Sequence, residues 1–459
     1  MYYLAGYDFA ANIHLYKWND LNILLDVNSG AIHVLDDIAF ELVGDLIAYK
    51  GDFYRAMENC LIKYGEEDVQ EVVTELLRAY EDETLFSEPE DIFVDMTQMA
   101  VKALCLNIAH VCNMKCTYCF ASQGDFGLKA GLMPYSTGKR ALDFLVEASG
   151  EIKNLEVDFF GGEPLLNFAV VKELVTYGRE LEKSTGKKFN FTLTTNGALL
   201  DEEIMDFIIA EDLSIVLSLD GRPEVNDRNR IFNDGTGTYE KILPKFKQMT
   251  AKNPKSYYIR GTFTRENTDF SQDLKHIVDL GFNSLSLEPA VGAGSEYAIK
   301  EADLPRVLNE YENLTEALWN YHAQGQEVHF FHYNLNLQKG PCLAKRQTGC
   351  GAGVEYLVVT PEGDIYPCHQ FVGDDEFLLG NVDDLSLDKE IRHLFAHSTI
   401  QAKEECLKCW ARNFCGGGCH ANNFKATGNI KNPDRVSCNM HKKRIEGAIF
   451  LDLKKQLEN

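Results

Sequence analysis

The sequence has no apolar run approaching the roughly 20 residues that a helix needs to cross a bilayer. Its first residues also lack the basic stretch followed by an apolar stretch that marks a secretory signal peptide. These two absences predict a cytoplasmic protein with no membrane partner. Basic residues are scarce, with 45 Lys and Arg against 70 Asp and Glu and a formal net charge of −25. Because phosphate binding needs clustered basic side chains, no nucleic-acid partner is expected.

Internal repeats and low-complexity tracts are absent too, and 45% of the residues are hydrophobic. At about 150 residues per domain, a chain of 459 residues predicts about three domains. Three regions differ in their residue patterns, and we place their boundaries at residues 1–95, 96–327 and 328–459.

The first region has the pattern of a β-hairpin followed by helices. Two alternating apolar runs, Leu21–Val27 and Ala31–Leu35, flank the turn Asn28-Ser29-Gly30, which is typical of a hairpin. Helical periodicity follows over residues 37–49, 52–64 and 66–81, and an acidic linker covers residues 81–95. We expect a small α+β module with winged-helix character.

The second region alternates strands with helices. Strands are predicted over residues 103–109, 155–160, 190–195, 214–219, 257–264 and 284–288. Helices are predicted over residues 136–149, 168–184, 201–211, 239–252, 269–280 and 303–323. Six β-then-α units predict a parallel sheet with right-handed crossovers. The expected fold class is therefore α/β, with a partial (β/α)6 barrel at its centre. The third region is rich in cysteine and glycine, has short strands, and ends on an amphipathic helix at 441–457.

The 13 cysteines are unevenly distributed. Three lie between residues 112 and 119, and eight lie between residues 342 and 438. Disulfides are rare in the cytoplasm, so clustered cysteines there more often bind metal. Only Cys60 and Cys105 stand alone, and we expect both to be small buried core residues.

The first group of cysteines, Cys112, Cys116 and Cys119, directly follows the first barrel strand. Three thiolates can hold three irons of a [4Fe–4S] cube and leave the fourth iron open. The amino and carboxylate groups of S-adenosylmethionine (SAM) can chelate that iron. The reduced cluster can then cleave SAM to a 5′-deoxyadenosyl radical, which the protein aims at a C–H bond. A zinc site is the alternative, but such sites usually need four ligands in two pairs, and no fourth partner lies nearby in sequence.

Polar or glycine-rich motifs end the later barrel strands, where functional groups of β/α barrels collect. Gly161 and Gly162 permit close approach of the backbone to a ligand, and Glu163 can accept a bond from an ammonium group. Ser218 and an arginine can bind the SAM carboxylate; both Arg230 and Arg260 are candidates, and the sequence does not decide between them. Tyr118 is expected to lie against the adenine.

The motifs C-x3-C-x-aromatic-C, Gly-Gly-Glu-Pro and Ser-x-Asp-Gly, in this order, resemble those of the radical SAM superfamily. That resemblance implies the partial barrel and SAM as co-substrate. The spacing of the C-terminal cysteines, including Cys406-x2-Cys409-x5-Cys415-x3-Cys419, resembles the SPASM extension of radical SAM enzymes that modify peptides.

The SPASM resemblance implies two auxiliary [4Fe–4S] clusters, and hence three clusters in all. The first would bind Cys342, Cys350, Cys368 and Cys419. The second would bind Cys406, Cys409, Cys415 and Cys438. A pair of structural zinc sites is the alternative. Cys342 is the ligand least constrained by the pattern. Without Cys342, the first auxiliary cluster would have an open iron that a substrate thiolate could occupy.

The first region resembles the RiPP recognition element of peptide-modifying enzymes, and residues 21–37 resemble the start of the maturases for SCIFF peptides, which are short cysteine-rich precursors. Such a module would bind the leader of the precursor as an extra strand on a sheet edge. A DNA-binding winged helix is the competing interpretation. The acidic stretches Asp36-Asp37, Glu66-Glu67-Asp68 and Glu81-Asp82-Glu83 argue against it.

The resemblance as a whole implies a maturase of the sactipeptide and ranthipeptide type, which forms thioether crosslinks between cysteine sulfur and carbon in a ribosomal peptide. A low-potential electron donor would reduce it, and the surplus electron would leave through an auxiliary cluster. An anaerobic sulfatase-maturing enzyme that makes formylglycine is an alternative with the same barrel and clusters. A non-enzymatic iron–sulfur electron carrier or a zinc-based interaction protein is an alternative of another class.

Overall fold

The computed structural model describes residue 4 and residues 6–89, 94–292, 294–337, 346–384 and 386–458. Its first region forms α1 (Phe9–Asn12), β1 (Ile13–Trp18), β2 (Leu21–Asp26), β3 (Ile32–Leu35), α2 (Asp37–Ala48), α3 (Phe53–Lys63) and α4 (Glu66–Glu81). The predicted hairpin and its three helices are confirmed. Strand β1 was not predicted, and it completes an antiparallel sheet in the order β1-β2-β3. Aspartates cap three of the helices: Asp8 accepts from the Ala11 N–H, Asp36 from the Ala39 N–H and Asp52 from the Arg55 N–H.

The second region contains the six predicted strands and six predicted helices, each within two residues of its expected bounds. In chain order its elements are β4 (Ala103–Ala109), β5 (Met114–Cys116), α5 (Tyr135–Ala148), β6 (Asn154–Gly161), α6 (Phe168–Thr185), β7 (Lys188–Thr195), α7 (Glu202–Ala210), β8 (Ser214–Ser218), α8 (Pro223–Asn229), β9 (Arg230–Phe232), α9 (Tyr239–Ala251), β10 (Tyr257–Phe263), α10 (Phe270–Asp279), β11 (Ser284–Pro289) and α11 (Leu304–Ala323). The predicted α/β fold class is thereby confirmed.

The third region adds short strands and helices. They are β12 (His329–Phe330), β13 (Tyr356–Val359), β14 (Asp364–Tyr366), β15 (Gly380–Asn381), α12 (Lys389–Ala396), α13 (Glu404–Leu407), α14 (Arg412–Cys415), α15 (His420–Thr427) and α16 (Arg435–Leu457). The predicted start of the last helix at residue 441 is wrong. Asp434 follows Pro433 and caps the helix by accepting from the N–H groups of Val436 and Ser437, so α16 begins at Arg435.

A ten-stranded sheet runs through the second and third regions in the order β12-β11-β10-β8-β7-β6-β4-β13-β14-β15. The six predicted strands form its parallel centre. Strand β13 pairs in parallel with β4, from Tyr356 opposite Ala103 to Val359 opposite Leu106. The cysteine-rich region is therefore joined to the barrel by main-chain hydrogen bonds. The isolated cysteines behave as predicted, since Cys60 and Cys105 are both buried.

The N-terminal sheet packs against the C-terminal region. An apolar cluster joins Ile23 and Leu25 of β2 to Ile445 and Ile449 of α16. The guanidinium of Arg412 donates to the side-chain oxygens of Asn12 and Asn28, at 2.8 and 2.7 Å. The ring of His14 stacks on Trp410 at 3.6 Å between centroids. These contacts hold the first region beside the segment between Cys409 and Cys415.

Candidate active site

One cavity of about 440 Å³ opens where the parallel strands of the barrel end. Its wall contains all ten SAM-site and first-cluster residues predicted from sequence: Cys112, Cys116, Tyr118, Cys119, Gly161, Gly162, Glu163, Ser218, Arg230 and Arg260. Three C-terminal cysteines, Cys350, Cys368 and Cys419, line the same cavity. The fold therefore brings together two cysteine groups that lie more than 200 residues apart in sequence.

The loop that carries the first cysteine group is held from two sides. Strand β5 pairs antiparallel with β9, so that Cys116 lies opposite Arg230. The Met114 N–H donates to the Cys112 sulfur at 3.5 Å, and the Asn196 amide lies 3.8 Å from the same sulfur. Asn196 also donates to the side chain of Asn113 at 2.8 Å. The end of β7 thus positions the first cysteine of the group.

The chemistry of these thiols fits a metal cluster. Burial raises the pKa of Cys112 to about 12 and that of Cys116 to about 11, so as free thiols both would stay protonated at neutral pH. A thiolate here needs a positive partner of its own, which iron provides. Within the described ranges, no three His, Cys, Asp or Glu side chains are arranged to hold a single metal ion.

The two glycines of the Gly-Gly-Glu-Pro motif contact the cluster loop itself. A Cβ on Gly161 would lie 2.4 Å from the carbonyl oxygen of Ala109, and one on Gly162 would lie 2.2 Å from that of Val111. Gly161 also has a φ of +125°, a conformation that side chains with a Cβ rarely adopt. The sequence predicts that these glycines let the backbone approach a ligand, and that prediction is not tested by these contacts. The group approached in the structure is the backbone of the loop before Cys112.

Glu163 is almost completely buried and ties two strand ends together. Its carboxylate accepts from the Leu165 N–H at 3.0 Å, the Thr195 hydroxyl at 2.7 Å and the Asn196 N–H at 2.8 Å. Burial raises its pKa, and these three donors oppose that rise. A carboxylate has about four acceptor positions, so one remains for a donor in the cavity.

Tyr118, Asp220 and Arg230 form a buried network beside the cluster loop. The Tyr118 hydroxyl donates to Asp220 at 2.6 Å and accepts from Arg230 Nη1 at 2.9 Å. Arg230 and Asp220 also form an ion pair at 3.7 Å. The Nε of Arg230 is buried and has no hydrogen-bond partner in the part of the chain that the structure describes. Because a buried unpaired donor is costly, this N–H points to a ligand that completes the site.

Arg260 differs from Arg230 in how its donors are used. Its Nε and Nη2 donate to the two oxygens of Glu288, at 3.3 and 3.2 Å. Burial acts to raise the pKa of Glu288, but the charge and hydrogen bonds of Arg260, together with His332 and Arg444, outweigh it and hold the pKa down, at about 2. This fork-to-carboxylate pair occupies the guanidinium face that would otherwise bind a second carboxylate.

The remaining C-terminal cysteines separate into two neighbourhoods. Cys368 interacts electrostatically with Cys350 and Cys419, and burial raises the pKa of all three thiols. Cys438 interacts with Cys406, Cys409 and Cys415. These neighbourhoods match the two ligand sets implied by the SPASM spacing. Cys342, the expected fourth member of the first set, lies outside the described residues.

Sequence reasoning assigned no role to several residues that line the cavity or contact its wall. Asn196 and Asp220 stand in strand-end motifs, which was a usable signal. His369 follows Cys368, and its ring stacks on Phe160 at 5.2 Å between centroids. Burial lowers the pKa of His369 to about 4, so the ring is neutral at physiological pH. Only its place beside a cysteine could have singled out His369.

Two family models match the chain. Residues 106–276 match the radical SAM superfamily, and residues 350–410 match the SPASM iron–sulfur cluster-binding domain. The radical SAM cyclopropyl synthase TigE of Paramaledivibacter caminithermalis is 24% identical over 370 residues, which are 76% of this chain and 74% of TigE. The cysteine-type anaerobic sulfatase-maturating enzyme of Clostridium perfringens is 27% identical over 331 residues, which are 67% of this chain and 85% of that enzyme.

Solved structures share the fold. The structure of anSMEcpe with bound AdoMet aligns with a TM-score of 0.64 and 23% identity, covering 78% of this chain and 99% of that chain. Streptococcus suis SuiB bound to its precursor peptide SuiA aligns with a TM-score of 0.52 and 16% identity, covering 93% of this chain and 98% of that chain. No helix among the described ranges has the length and apolar character of a membrane span. The match of residues 106–276 to a radical SAM domain and of residues 350–410 to a SPASM domain, together with the motifs and the cavity, supports a radical SAM enzyme that uses SAM and iron–sulfur clusters.

Proposed function

We propose that this enzyme forms thioether crosslinks between cysteine sulfur and a carbon atom of a ribosomally synthesised, cysteine-rich peptide. One observation carries the proposal: Cys112, Cys116 and Cys119 share a cavity with Cys350, Cys368 and Cys419. Closing a thioether removes two hydrogen atoms from the peptide, which is a two-electron oxidation. A radical site that directly faces a second iron–sulfur site has an acceptor for the second electron.

In this proposal the barrel, residues 96–327, holds the cluster that binds SAM through the three cysteines of the first group. When bound, the reduced cluster and SAM supply a radical that abstracts hydrogen from carbon. The residues of the chain hold and orient the co-substrate. Glu163 has one free acceptor position for the amino group. Ser218 and Arg230 line the cavity, and the Nε of Arg230 has no partner among the described residues, so both side chains suit the carboxylate. We therefore assign this role to Arg230 and not to Arg260.

Replacing each arginine by lysine tests that assignment. Arg230→Lys keeps a positive charge beside Asp220 but removes the guanidinium fork, so the dissociation constant for SAM should rise about tenfold or more. Arg260→Lys is the matched control and should change it less than about threefold, since Glu288 already occupies that fork. Anaerobic titration calorimetry of the reconstituted proteins measures both values. A larger effect from Arg260→Lys would reverse the assignment.

The cysteine-rich region, residues 328–459, is proposed to hold two auxiliary [4Fe–4S] clusters, which brings the total to three. Cys350, Cys368 and Cys419 would bind the cluster that faces the cavity, with Cys342 as its fourth ligand or with an iron left open to the substrate. Cys406, Cys409, Cys415 and Cys438 would bind the cluster farther from the barrel. A low-potential donor would reduce the radical cluster, and the surplus electron would leave through these auxiliary sites.

The N-terminal module, residues 1–95, is proposed to bind the leader of the precursor along β3, an edge strand of its sheet. At the turn, the Asp26 N–H donates to the Ala31 carbonyl, and β2 and β3 then pair in steady register. Because bonded and non-bonded positions alternate in an antiparallel pair, Ile32 and Val34 turn their backbone N–H and C=O groups away from β2. Those groups are available to an added strand.

A Val34→Pro substitution tests whether the leader adds as a strand along the edge strand β3. Val34→Pro removes one outward N–H while leaving the ladder to β2 intact, and proline is tolerated on edge strands. The leader carbonyl then has no donor, so the dissociation constant for the leader should rise about tenfold. Val34→Ala, which keeps the N–H, is the control and should bind nearly as the wild type. Fluorescence anisotropy with a labelled leader gives both constants. Unchanged binding by Val34→Pro would contradict strand addition at β3.

The formylglycine-forming alternative has support from the sulfatase-maturating relative, but the length of the chain argues against it. The alignment with anSMEcpe covers 99% of that chain but 78% of this one, so part of this chain has no counterpart there. The alignment with SuiB covers 93% of this chain. An enzyme that recognises its target without a leader would have little use for the additional module. The carrier alternative does not explain a cavity of about 440 Å³ lined by Glu163, Ser218 and an arginine with a free N–H.

The deciding experiment incubates the reconstituted, reduced enzyme anaerobically with SAM and a cysteine-rich precursor, followed by mass spectrometry. We expect each crosslink to lower the peptide mass by two hydrogen atoms, about 2 Da, in a form that survives thiol reductants. Cys112→Ala should abolish the change, while the control Cys105→Ala, which removes a buried cysteine of β4, should keep it. Cleavage of SAM with an unchanged peptide mass would sink the thioether assignment, and conversion of a sulfatase peptide would favour the alternative.

A further inference from the structure

Lys403 is a buried cation without an acidic partner. Lys403 is only 1% exposed, and its Nζ donates to the carbonyl oxygen of Gly417 at 2.7 Å. Among the described residues, no carboxylate forms an ion pair with it. Burying an unpaired ammonium group is costly, because the protein interior replaces its hydration only in part. Some other negative group must offset that cost.

Cysteines flank both ends of Lys403, since the Gly417 carbonyl that accepts from its Nζ lies between Cys415 and Cys419 in the chain. Burial lowers the pKa of Lys403, and the nearby thiols of Cys406, Cys415, Cys419 and Cys438 oppose this effect. Three of these belong to the proposed outer auxiliary set, and Cys419 belongs to the set that faces the cavity. Lys403 therefore lies between the two auxiliary sites. Cys406 is also tied to it through the main chain, since the Cys406 N–H donates to the Lys403 carbonyl at 2.9 Å.

The bond to Gly417 fixes the chain that joins the two sets. Cys415 and Cys419 are connected by three glycines, all with positive φ, and Gly417 is the middle one. A Cβ on Gly417 would lie 2.9 Å from the Lys403 Nζ. The ammonium group thus packs against the midpoint of a flexible connection between the two sites.

Building on the cluster ligands of the proposed function, we propose that Lys403 is a positioning residue whose positive charge raises the reduction potential of the auxiliary clusters, chiefly the outer one. Each cluster gains one negative charge when it accepts an electron. An ammonium group at close range in a low-dielectric interior stabilises that added charge. The electron taken from the substrate then has a favourable acceptor on the side away from the barrel.

The test uses the full-length chain with Cys112, Cys116 and Cys119 replaced by alanine, so that only the auxiliary clusters are reduced. In this background the Lys403→Met chain should keep its iron content. The equilibrium constant for one-electron reduction of the outer cluster should fall at least tenfold. That change corresponds to a midpoint potential lowered by about 59 mV or more. Lys403→Arg, which keeps the positive charge, should have a midpoint potential close to that of the parent chain. The matched control is Lys408→Met, an exposed lysine between Cys406 and Cys409, which should leave the midpoint unchanged because water screens its charge. Redox titration followed by electron paramagnetic resonance gives the midpoints.

The outcomes separate this inference from the function on which it rests. If the parent chain binds iron for fewer than two clusters, the proposed ligand sets fail. If both clusters form and Lys403→Met has the parent midpoints, the role of Lys403 is refuted. Lys403→Gln keeps a donor for the Gly417 carbonyl and covers the case in which the methionine variant loses iron; its midpoint should still fall. Loss of iron in both variants would also overturn the inference, since Lys403 would then be needed to build the site.

Discussion

The parallel pairing of β4 with β13 is the interaction on which the site depends. Strand β4 leads directly into the loop of Cys112, and β13 and β14 lie between Cys350 and Cys368. Main-chain hydrogen bonds between β4 and β13 therefore set the position of one cysteine group relative to the other. Without this pairing the two groups would belong to separate domains joined by a linker. With it, they form opposite parts of one cavity wall.

Charge burial is the second constraint on the molecule. Nine of the ten described cysteines of the two groups are buried or partly buried, Cys350 being exposed, and for most of the ten desolvation holds the thiol pKa high. Iron supplies the positive charge that these sulfurs need as thiolates. The arginines of the cavity pair with Asp220 and Glu288, whereas the Lys403 ammonium donates to the Gly417 carbonyl. Buried cations at the barrel strand ends therefore have carboxylate partners, and the buried cation of the cysteine-rich loops has none among the described residues.

Much of the fold could be predicted because its signals are local. The hairpin around Gly30 and the β-then-α alternation depend on residues a few positions apart, and these elements were predicted with nearly correct bounds. The pairing of β4 with β13 could not be predicted, since two short apolar runs 250 residues apart carry no mark of being partners. Strand β1 was missed for the related reason that its pattern, partly exposed on both faces, lacks strict alternation. The start of α16 was a different error, because the capping signal of Asp434 was available and not used.

The cysteines, glycines and polar strand ends of the cavity were found from the sequence because residue type and spacing carry their chemistry. The choice between Arg230 and Arg260 needed the structure, since it rests on which donors are already used. The direct test of the whole account is diffraction from anaerobically reconstituted crystals at the iron absorption edge. The account predicts three compact iron peaks, one at each of the cysteine neighbourhoods around Cys112, Cys368 and Cys438. Single-ion peaks at the zinc edge, or an iron peak at fewer than three of these positions, would contradict it.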